Sequence, residues 1–341
     1  MNASAQKAVA RSSASEVKDI TLVEAVNMAL AWEMAHDESV VVLGEDIATN
    51  GGVFRATVGL KERFGYKRVM DTPLAENLIA GAAIGMAVQG LKPVAEFQFM
   101  GFIYAGMEQM VSHAARMRNR TRGRLHCPLV YRAPFGGGIH APEHHSESTE
   151  ALFAHVPGLR VVIPSSPQRA YGLLLAAIRN PDPVVFLEPK RIYRAVTQSV
   201  TDNGDALPLD TCFTLREGDD VTLISWGASI METLQAADKL TEQGISAEVI
   251  DVATVSPLDR ETLLCSVAKT GRAVIVHEAC RSGGVGAEIA ASIAEAAFLD
   301  LQAPVVRVTG YDTIMPYYRN EQAYLPQVDD IVEAVEQVIA L

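Results

Sequence analysis

The apolar positions of the chain alternate between short continuous runs and stretches that recur every three or four residues. Runs of four or five apolar residues ending at glycine or a polar cluster read as buried strands, and the longer periodic stretches read as helices. Thr21-Leu22-Val23-Glu24 is a capping box followed by apolar Val26, Ala29, Leu30 and Met34, so order begins with a helix near Thr21. The run over 40–43, closed by Gly44, predicts a buried parallel strand. After it the pattern predicts a helix over 76–89, a strand at 93–97, a helix over 105–118 and strands at 129–132 and 161–163. A helix over 167–178 and a strand at 184–187 complete a further βαβ unit. Residues 195–212 lose the periodicity and carry Asn203-Gly204 and Pro208, which marks a linker. Beyond it come strands at 221–225, 247–250, 273–277 and 305–308, interleaved with helices over 230–243, 259–269, 286–296 and 329–339. Such alternation predicts an α/β fold of two three-layer domains with mainly parallel sheets, over 19–194 and 213–341, preceded by a disordered tail over 1–18.

Within that pattern, Asp71-Thr72-Pro73-Leu74-Ala75-Glu76 is the most informative segment. Pro73 fixes its own φ and pushes Thr72 toward extended backbone, so the helix starts after it. Ala80, Gly81, Ala82, Ala83, Gly85, Ala87 and Gly90 follow Glu76. Each helical glycine costs about 0.5–1 kcal/mol against alanine, so their accumulation asks for a reason, such as close approach of another backbone or a flat ligand. Glu76 is either a capping acid at a helix N-terminus or a site carboxylate beside that surface.

Size and composition narrow the classes. The 341 residues suffice for two domains, and 49% hydrophobic with 21% charged residues is the make-up of a globular protein. A net charge of −12 argues against nucleic acid and anionic membrane as partners. Cys127, Cys212, Cys265 and Cys280 are scattered without a Cys-x-x-Cys pair, and read as reduced thiols of a cytoplasmic protein. No apolar run approaches the ~20 residues of a membrane span. Residues 1–15 are rich in Ala and Ser with Lys7 and Arg11, closer to a disordered tail than to a transit peptide for the mitochondrial matrix.

Residues 136–150 (GGGIHAPEHHSESTE) form the second informative stretch. His140, Glu143, His144, His145 and Glu147 crowd a glycine-rich loop, the setting in which a rigid sheet positions a site. Zinc on His140 and His144 would need a helix that Pro142 and the glycines prevent. A surface loop with incidental histidines and a proton-transfer or substrate-binding loop both remain open on composition. There is no Gly-x-Ser-x-Gly elbow, no P-loop and no Gly-x-Gly-x-x-Gly. The alternating Arg116, Arg118, Arg120, Arg122 and Arg124 lack interleaved aromatics and read as a solvated helix end.

Taken as a set, LGEDIATNGGVFRAT (43–57), DTPLAENLIAGAAIGMAVQGLKPVAEFQF (71–99), HHSES (144–148), FAHVPGLRVVIPSSP (153–167), DPVVFLEPKRIYR (182–194), VAKTGRAVIVHEA (267–279) and RVTGYDT (307–313) resemble one family. It is the beta subunit of the thiamine-diphosphate-dependent decarboxylating component of 2-oxo acid dehydrogenase complexes, with a transketolase-like pyrimidine-binding domain and a transketolase C-terminal domain. The resemblance implies that Glu76 hydrogen-bonds a ring nitrogen of the cofactor's aminopyrimidine and shares the proton that activates the thiazolium carbon. Apolar surroundings, which raise a carboxyl pKa, suit that role. It further implies that Phe102 stacks on the aminopyrimidine, that Gln98 and Leu74 line its pocket, and that His145, with His144 as neighbour, serves acyl transfer to lipoamide.

Thiamine diphosphate enzymes hold magnesium and diphosphate on Gly-Asp-Gly and a later Asn, a hard-oxygen site. Gly44-Glu45-Asp46 and Gly218-Asp219-Asp220 do not fit that pattern. The resemblance therefore implies an alpha subunit that supplies Mg2+ and diphosphate binding, an α2β2 heterotetramer with the cofactor between chains, and docking to a dihydrolipoyl acyltransferase core. It also implies a potassium ion under the backbone carbonyls of Leu129, Ala177, Ile178, Asn180 and Asp182, although Asn180-Pro181-Asp182 departs from the usual acidic pattern. The expected reaction is oxidative decarboxylation of a 2-oxo acid. Residues 118–123 and 143–146 look closer to branched-chain-type and related bacterial enzymes than to animal pyruvate enzymes, placing a branched-chain acid slightly ahead of pyruvate. An acetoin dehydrogenase beta subunit and a non-catalytic scaffold homologue are the alternatives.

Overall fold

A computed structural model of the chain describes residues 16–341. The tail expected over 1–18 lies outside the described residues up to residue 15. From Glu16 the chain forms a strand, Glu16–Thr21, paired antiparallel with Thr197–Asp202. The latter falls in the stretch expected to be a linker. Glu24 accepts hydrogen bonds from the Thr21 backbone N–H at 2.8 Å and hydroxyl at 2.6 Å, closing the start of the helix Leu22–His36.

The first large sheet has seven strands. In spatial order they are Thr254–Ser256, Arg160–Val162, Val184–Pro189, Val130–Phe135, Lys92–Glu96, Val40–Gly44 and Val69–Asp71. All neighbours are parallel except the outermost pair, where Thr254–Ser256 runs antiparallel to Arg160–Val162. That edge strand comes from the C-terminal half of the chain. The second sheet, ordered Val306–Gly310, Ala273–Cys280, Val221–Ser225, Ala247–Asp251 and Phe213–Arg216, is parallel apart from its last strand.

The period-2 alternation of the strands sorts the core into faces. Val40, Val42, Val94, Val130, Val184 and Phe186 pack against the helices Leu22–His36 and Pro167–Arg179. Leu43, Ala95, Tyr131, Ala133, Val185 and Leu187 face the other way, toward the helix Glu76–Val88. This second cluster continues without a break into Ile224, Trp226, Ile250 and Ile275 of the second sheet, so one apolar core joins the two halves. The far face of the second sheet is covered by Ile230–Glu242 and Val328–Ile339. The helix expected over 105–118 is instead a 3-10 segment, Met100–Gly106, followed by a π-turn at Met110–Ala114 and a short helix Met117–Arg120. Among the described residues no helix is long and apolar enough to cross a membrane, and all four cysteines are free thiols.

The shared core holds one uncompensated acid. Glu150 is fully buried, accepts from Trp226 Nε1 at 3.3 Å through Oε1, and leaves Oε2 without a partner. Burial pushes its carboxyl up to about 8, with the charge of Glu278 adding to the rise. The folded protein then keeps a proton that the unfolded chain releases above about 4.5, so stability falls as pH rises from about 4.5 to about 8. Glu150→Gln should abolish that slope. At pH 8 it should be the more stable chain by on the order of 2–4 kcal/mol in urea unfolding, and near neutral at pH 5. Parallel stability curves for the two chains across pH 5–8 would show that Glu150 is ionised in the fold.

Candidate active site

Glu76 stands at the first residue of the helix Glu76–Val88, entered from the extended Thr72-Pro73 turn. It is half-buried, and Leu74 beside it is 71% exposed, so in this chain the carboxylate borders an open surface instead of the enclosed apolar pocket expected for it. Leu78, Gly81, Ala82 and Gly85 continue that surface along the helix, and a side chain built on Gly85 would meet nothing within 4 Å. Gly106 explains the opposite side: a Cβ there would stand 2.9 Å from the Glu76 carbonyl. The close approach expected of the helix's own glycines is thus made by Gly106 of the neighbouring 3-10 segment, while Gly81, Ala82 and Gly85 lie on the open side of the helix and Ala80, Ala83 and Ala87 are buried.

Glu45 lies at the end of the strand Val40–Gly44, close enough for the Glu76 charge to act on it. Its carboxyl is raised by partial burial first, then by Asp46 and Glu76. Two carboxylates therefore share this corner. Gln98 and Phe102 enter from the loop and 3-10 turn after Lys92–Glu96, both half-buried. Phe99 and Phe102, three residues apart in a 3-10 geometry, fall on one side of the turn. His145 packs edge-on to both, at ring-centroid distances of 4.5 Å from Phe99 and 5.2 Å from Phe102. Its Nδ1 donates to the Pro142 carbonyl at 3.1 Å, which leaves Nε2 for a ligand. His144 is exposed, and its backbone is pressed against Gly101, where a Cβ would stand 2.3 Å from the His144 carbonyl oxygen. Only glycine fits there, and it brings the histidine loop onto the Phe99–Phe102 turn. Tyr104 donates its hydroxyl to Glu147 at 3.2 Å, fixing the loop's far end.

The 3-10 segment Met100–Gly106 thus links the start of the Glu76 helix, through Gly106, to His145, through Phe102, and a carboxylate, aromatic rings and a histidine on these adjoining elements suit a flat, nitrogen-rich ring. Metal chemistry is a poorer fit: among the described residues no group of three or more His, Cys, Asp or Glu side chains could hold an ion. His140, the other nitrogen of the zinc alternative, pairs with Glu321 at 2.5 Å. Two of the carbonyls expected to hold potassium already accept backbone hydrogen bonds, as does the neighbouring Pro181. Leu129 O accepts from Val184 N at 3.0 Å, Ala177 O from Asn180 N at 3.2 Å, and Pro181 O from Cys127 N at 3.2 Å. The side chains there are engaged elsewhere, Asp182 with Arg118 at 2.8 Å and Asn180 with Arg160 at 3.3 Å, so a cation would rest on backbone oxygens. Sequence reasoning missed Glu45, set aside because Gly44-Glu45-Asp46 is not Gly-Asp-Gly, and Phe99, whose i, i+3 spacing to Phe102 was the available signal.

Residues 18–196 match the transketolase pyrimidine binding domain and residues 211–331 the transketolase C-terminal domain. The chain is 50% identical over 319 residues to the pyruvate dehydrogenase E1 component subunit beta of Acholeplasma laidlawii, and 48% identical over 320 residues to that of Bacillus subtilis. Each alignment covers 94% of this chain and 98% of the relative. A Staphylococcus aureus subunit of the same name is 45% identical with equal coverage. Among solved structures, a split-gene transketolase described as an inactive beta4 tetramer superposes with a TM-score of 0.75 at 23% identity, covering 95% of this chain and 99% of its own, which shows the shared fold. Likeness across nearly the whole length means that the chain belongs to the family of beta subunits of the thiamine-diphosphate-dependent decarboxylating component of 2-oxo acid dehydrogenase complexes.

Proposed function

We propose that the chain is the catalytic beta subunit of such a dehydrogenase, active with an alpha subunit in oxidative decarboxylation of pyruvate and reductive acylation of lipoyl groups on an acyltransferase core. The observation that carries this reading is Glu76 at the edge of an open small-residue helix, its backbone against Gly106 of the same 3-10 segment that holds Phe102 on His145. Pyruvate stands first because the relatives bear it in their names; the branched-chain acid favoured by residues 118–123 and 143–146 stands second.

Thiamine diphosphate, when bound, supplies the electron sink for loss of carbon dioxide. This chain's part is to bind and to move protons. Glu76 would hold a proton on the aminopyrimidine ring, with Phe102 and Leu74 flanking the ring and Gln98 hydrogen-bonding its polar edge. His145, its Nδ1 fixed on the Pro142 carbonyl, would exchange a proton through Nε2 during transfer to the lipoyl thiol. The open face along Leu78, Gly81, Ala82 and Gly85 suits close helix contact with a partner subunit. Magnesium and diphosphate fall to the alpha subunit, because neither Gly44-Glu45-Asp46 nor Gly218-Asp219-Asp220 has the Gly-Asp-Gly pattern that holds them. A potassium ion would rest on the carbonyls of Leu129, Ala177, Ile178, Asn180 and Asp182.

Reconstitution tests the reading. The chain coexpressed with its alpha subunit should decarboxylate pyruvate faster than 2-oxoisovalerate, and should cleave acetoin more slowly than it turns over either acid. The isolated chain should be inactive with all three. Preference for acetoin would move it to the acetoin dehydrogenases, and no turnover by the assembled pair would favour a scaffold. Tight binding of thiamine diphosphate with magnesium and turnover by the isolated chain would refute the divided site.

A further inference from the structure

The loop that carries His145 is gripped from the other half of the molecule. Glu278, on the strand Ala273–Cys280, accepts from the Gly137 backbone N–H at 2.9 Å and from the Ser148 hydroxyl at 2.5 Å, both through Oε1. Glu321, at the start of the short helix Glu321–Tyr324, accepts from the backbone N–H of Gly138 at 2.7 Å and of His140 at 2.9 Å. Its Oε2 also meets His140 Nδ1 at 2.5 Å. Both carboxylates are buried, at 6% and 1% exposure. Beneath them the buried ammonium of Lys190 donates to the Gly136 carbonyl, while the Gly136 N–H is tied to the Glu147 carbonyl at 2.9 Å. The two ends of the loop are thus joined, and six of its polar groups are held by three buried ionisable side chains.

The backbone there is shaped for this grip. Gly136, Gly138 and His140 have φ of 82°, 84° and 60°, and the backbone so turned sends the Gly137 N–H to Glu278 and the Gly138 and His140 N–H groups to Glu321. A Cβ at Gly136 would stand 2.3 Å from Glu278 Oε1. Burying two carboxylates and an ammonium to hold a loop is costly unless every partner is kept. Loops closed only by their own side chains need no such charges.

We infer that Glu278 and Glu321 are positioning residues, through which the C-terminal domain sets the place of His145 against Phe99 and Phe102. The inference rests on the reading of His145 as the acyl-transfer histidine. Neither carboxylate touches a reacting atom; each acts through the 136–148 backbone.

The chemistry of the two grips differs, and the difference makes the test specific. Glu278 uses a single oxygen for both bonds, so Glu278→Gln retains both acceptors. Glu321 uses both oxygens, so Glu321→Gln retains only one. In the enzyme assembled with its alpha subunit, Glu278→Ala and Glu321→Ala should make the amides of Gly137, Gly138 and His140 exchange with deuterium at least ~10-fold faster. They should lower lipoyl acylation by on the order of 10- to 10²-fold, the scale of an ångström-level misplacement, with a smaller loss in decarboxylation read with an artificial electron acceptor. Glu278→Gln should restore both readouts, and Glu321→Gln only in part. Unchanged exchange in the alanine variants overturns the inference. So does faster exchange with an unaltered ratio of acylation to decarboxylation, which is what a merely structural contact would give. His145→Ala, assayed in parallel, reads the other question: if it acylates normally, the histidine's role fails, while the grip is judged on the Glu278 and Glu321 variants.

Discussion

Glu76→Gln should leave a folded, assembled enzyme whose turnover is lower by at least ~10²-fold, the usual scale for losing an acid–base group. The substitution is nearly isosteric at a half-buried position, and no core packing depends on the charge. What the fold loses is a carboxylate at a helix start, worth about 0.3–1 kcal/mol. What the site would lose, on the proposed function, is a group able to hold and release a proton beside the aminopyrimidine. Glu45 stands close by with a raised carboxyl, but it follows the strand Val40–Gly44 and does not share the helix start that holds Glu76. Melting temperature and thiamine diphosphate binding should therefore stay near those of the unaltered chain while the rate collapses. Near-normal turnover in a correctly assembled Glu76→Gln enzyme would remove the activating role from this residue.

The largest expected effect on stability lies in the first sheet. Arg132 is fully buried on a central strand, with Nε 2.5 Å and Nη2 2.9 Å from the two oxygens of Glu188 and Nη1 2.8 Å from Glu96. The Tyr193 hydroxyl adds a bond to Glu188 at 2.6 Å. One cation serves two carboxylates, and burial raises the Glu96 carboxyl against the pull of Arg132. Arg132→Met should cost about 3–5 kcal/mol, because it strands two acids in the sheet instead of removing a network. Denaturant unfolding measures this directly. Adding Glu96→Leu and Glu188→Leu to the same chain should recover most of the loss, since an apolar set of similar volume needs no compensation. A loss below ~1 kcal/mol for Arg132→Met alone would mean that the acids are already neutral in the fold.

These residues mark where one-dimensional reading succeeds and stops. The apolar runs at 40–43, 184–187 and 221–225 correspond to strands Val40–Gly44, Val184–Pro189 and Val221–Ser225, because strands buried on both faces leave a continuous signal. Thr197–Asp202 left none: it pairs only with Glu16–Thr21 in an exposed two-stranded ribbon, and polar residues serve such a ribbon well. The stretch 100–118 carries helical composition, yet Phe99 and Phe102 must share one side of a tighter turn, so it breaks into 3-10, α and π pieces. Glu76 and His145 stand out as candidates because each sits in a locally unusual segment. Glu278 and Glu321 do not, since their partners are backbone groups 141 and 183 residues away and nothing near them in sequence distinguishes them from surface acids.

The strand Thr254–Ser256 ties the two halves together in time as well as in space. It lies at the edge of the first sheet, yet some sixty residues of chain, from Arg194 onward, must be made after that sheet's other strands before it exists. Until then Arg160–Val162 presents an open ladder of N–H and C=O groups to other chains. Synthesis therefore passes through a stage in which the first half is nearly complete but still able to pair with a neighbour. A nascent chain halted before residue 254 should be a target for chaperones or an aggregation seed, and cutting this protein into its two halves should give pieces that need each other to stay in solution.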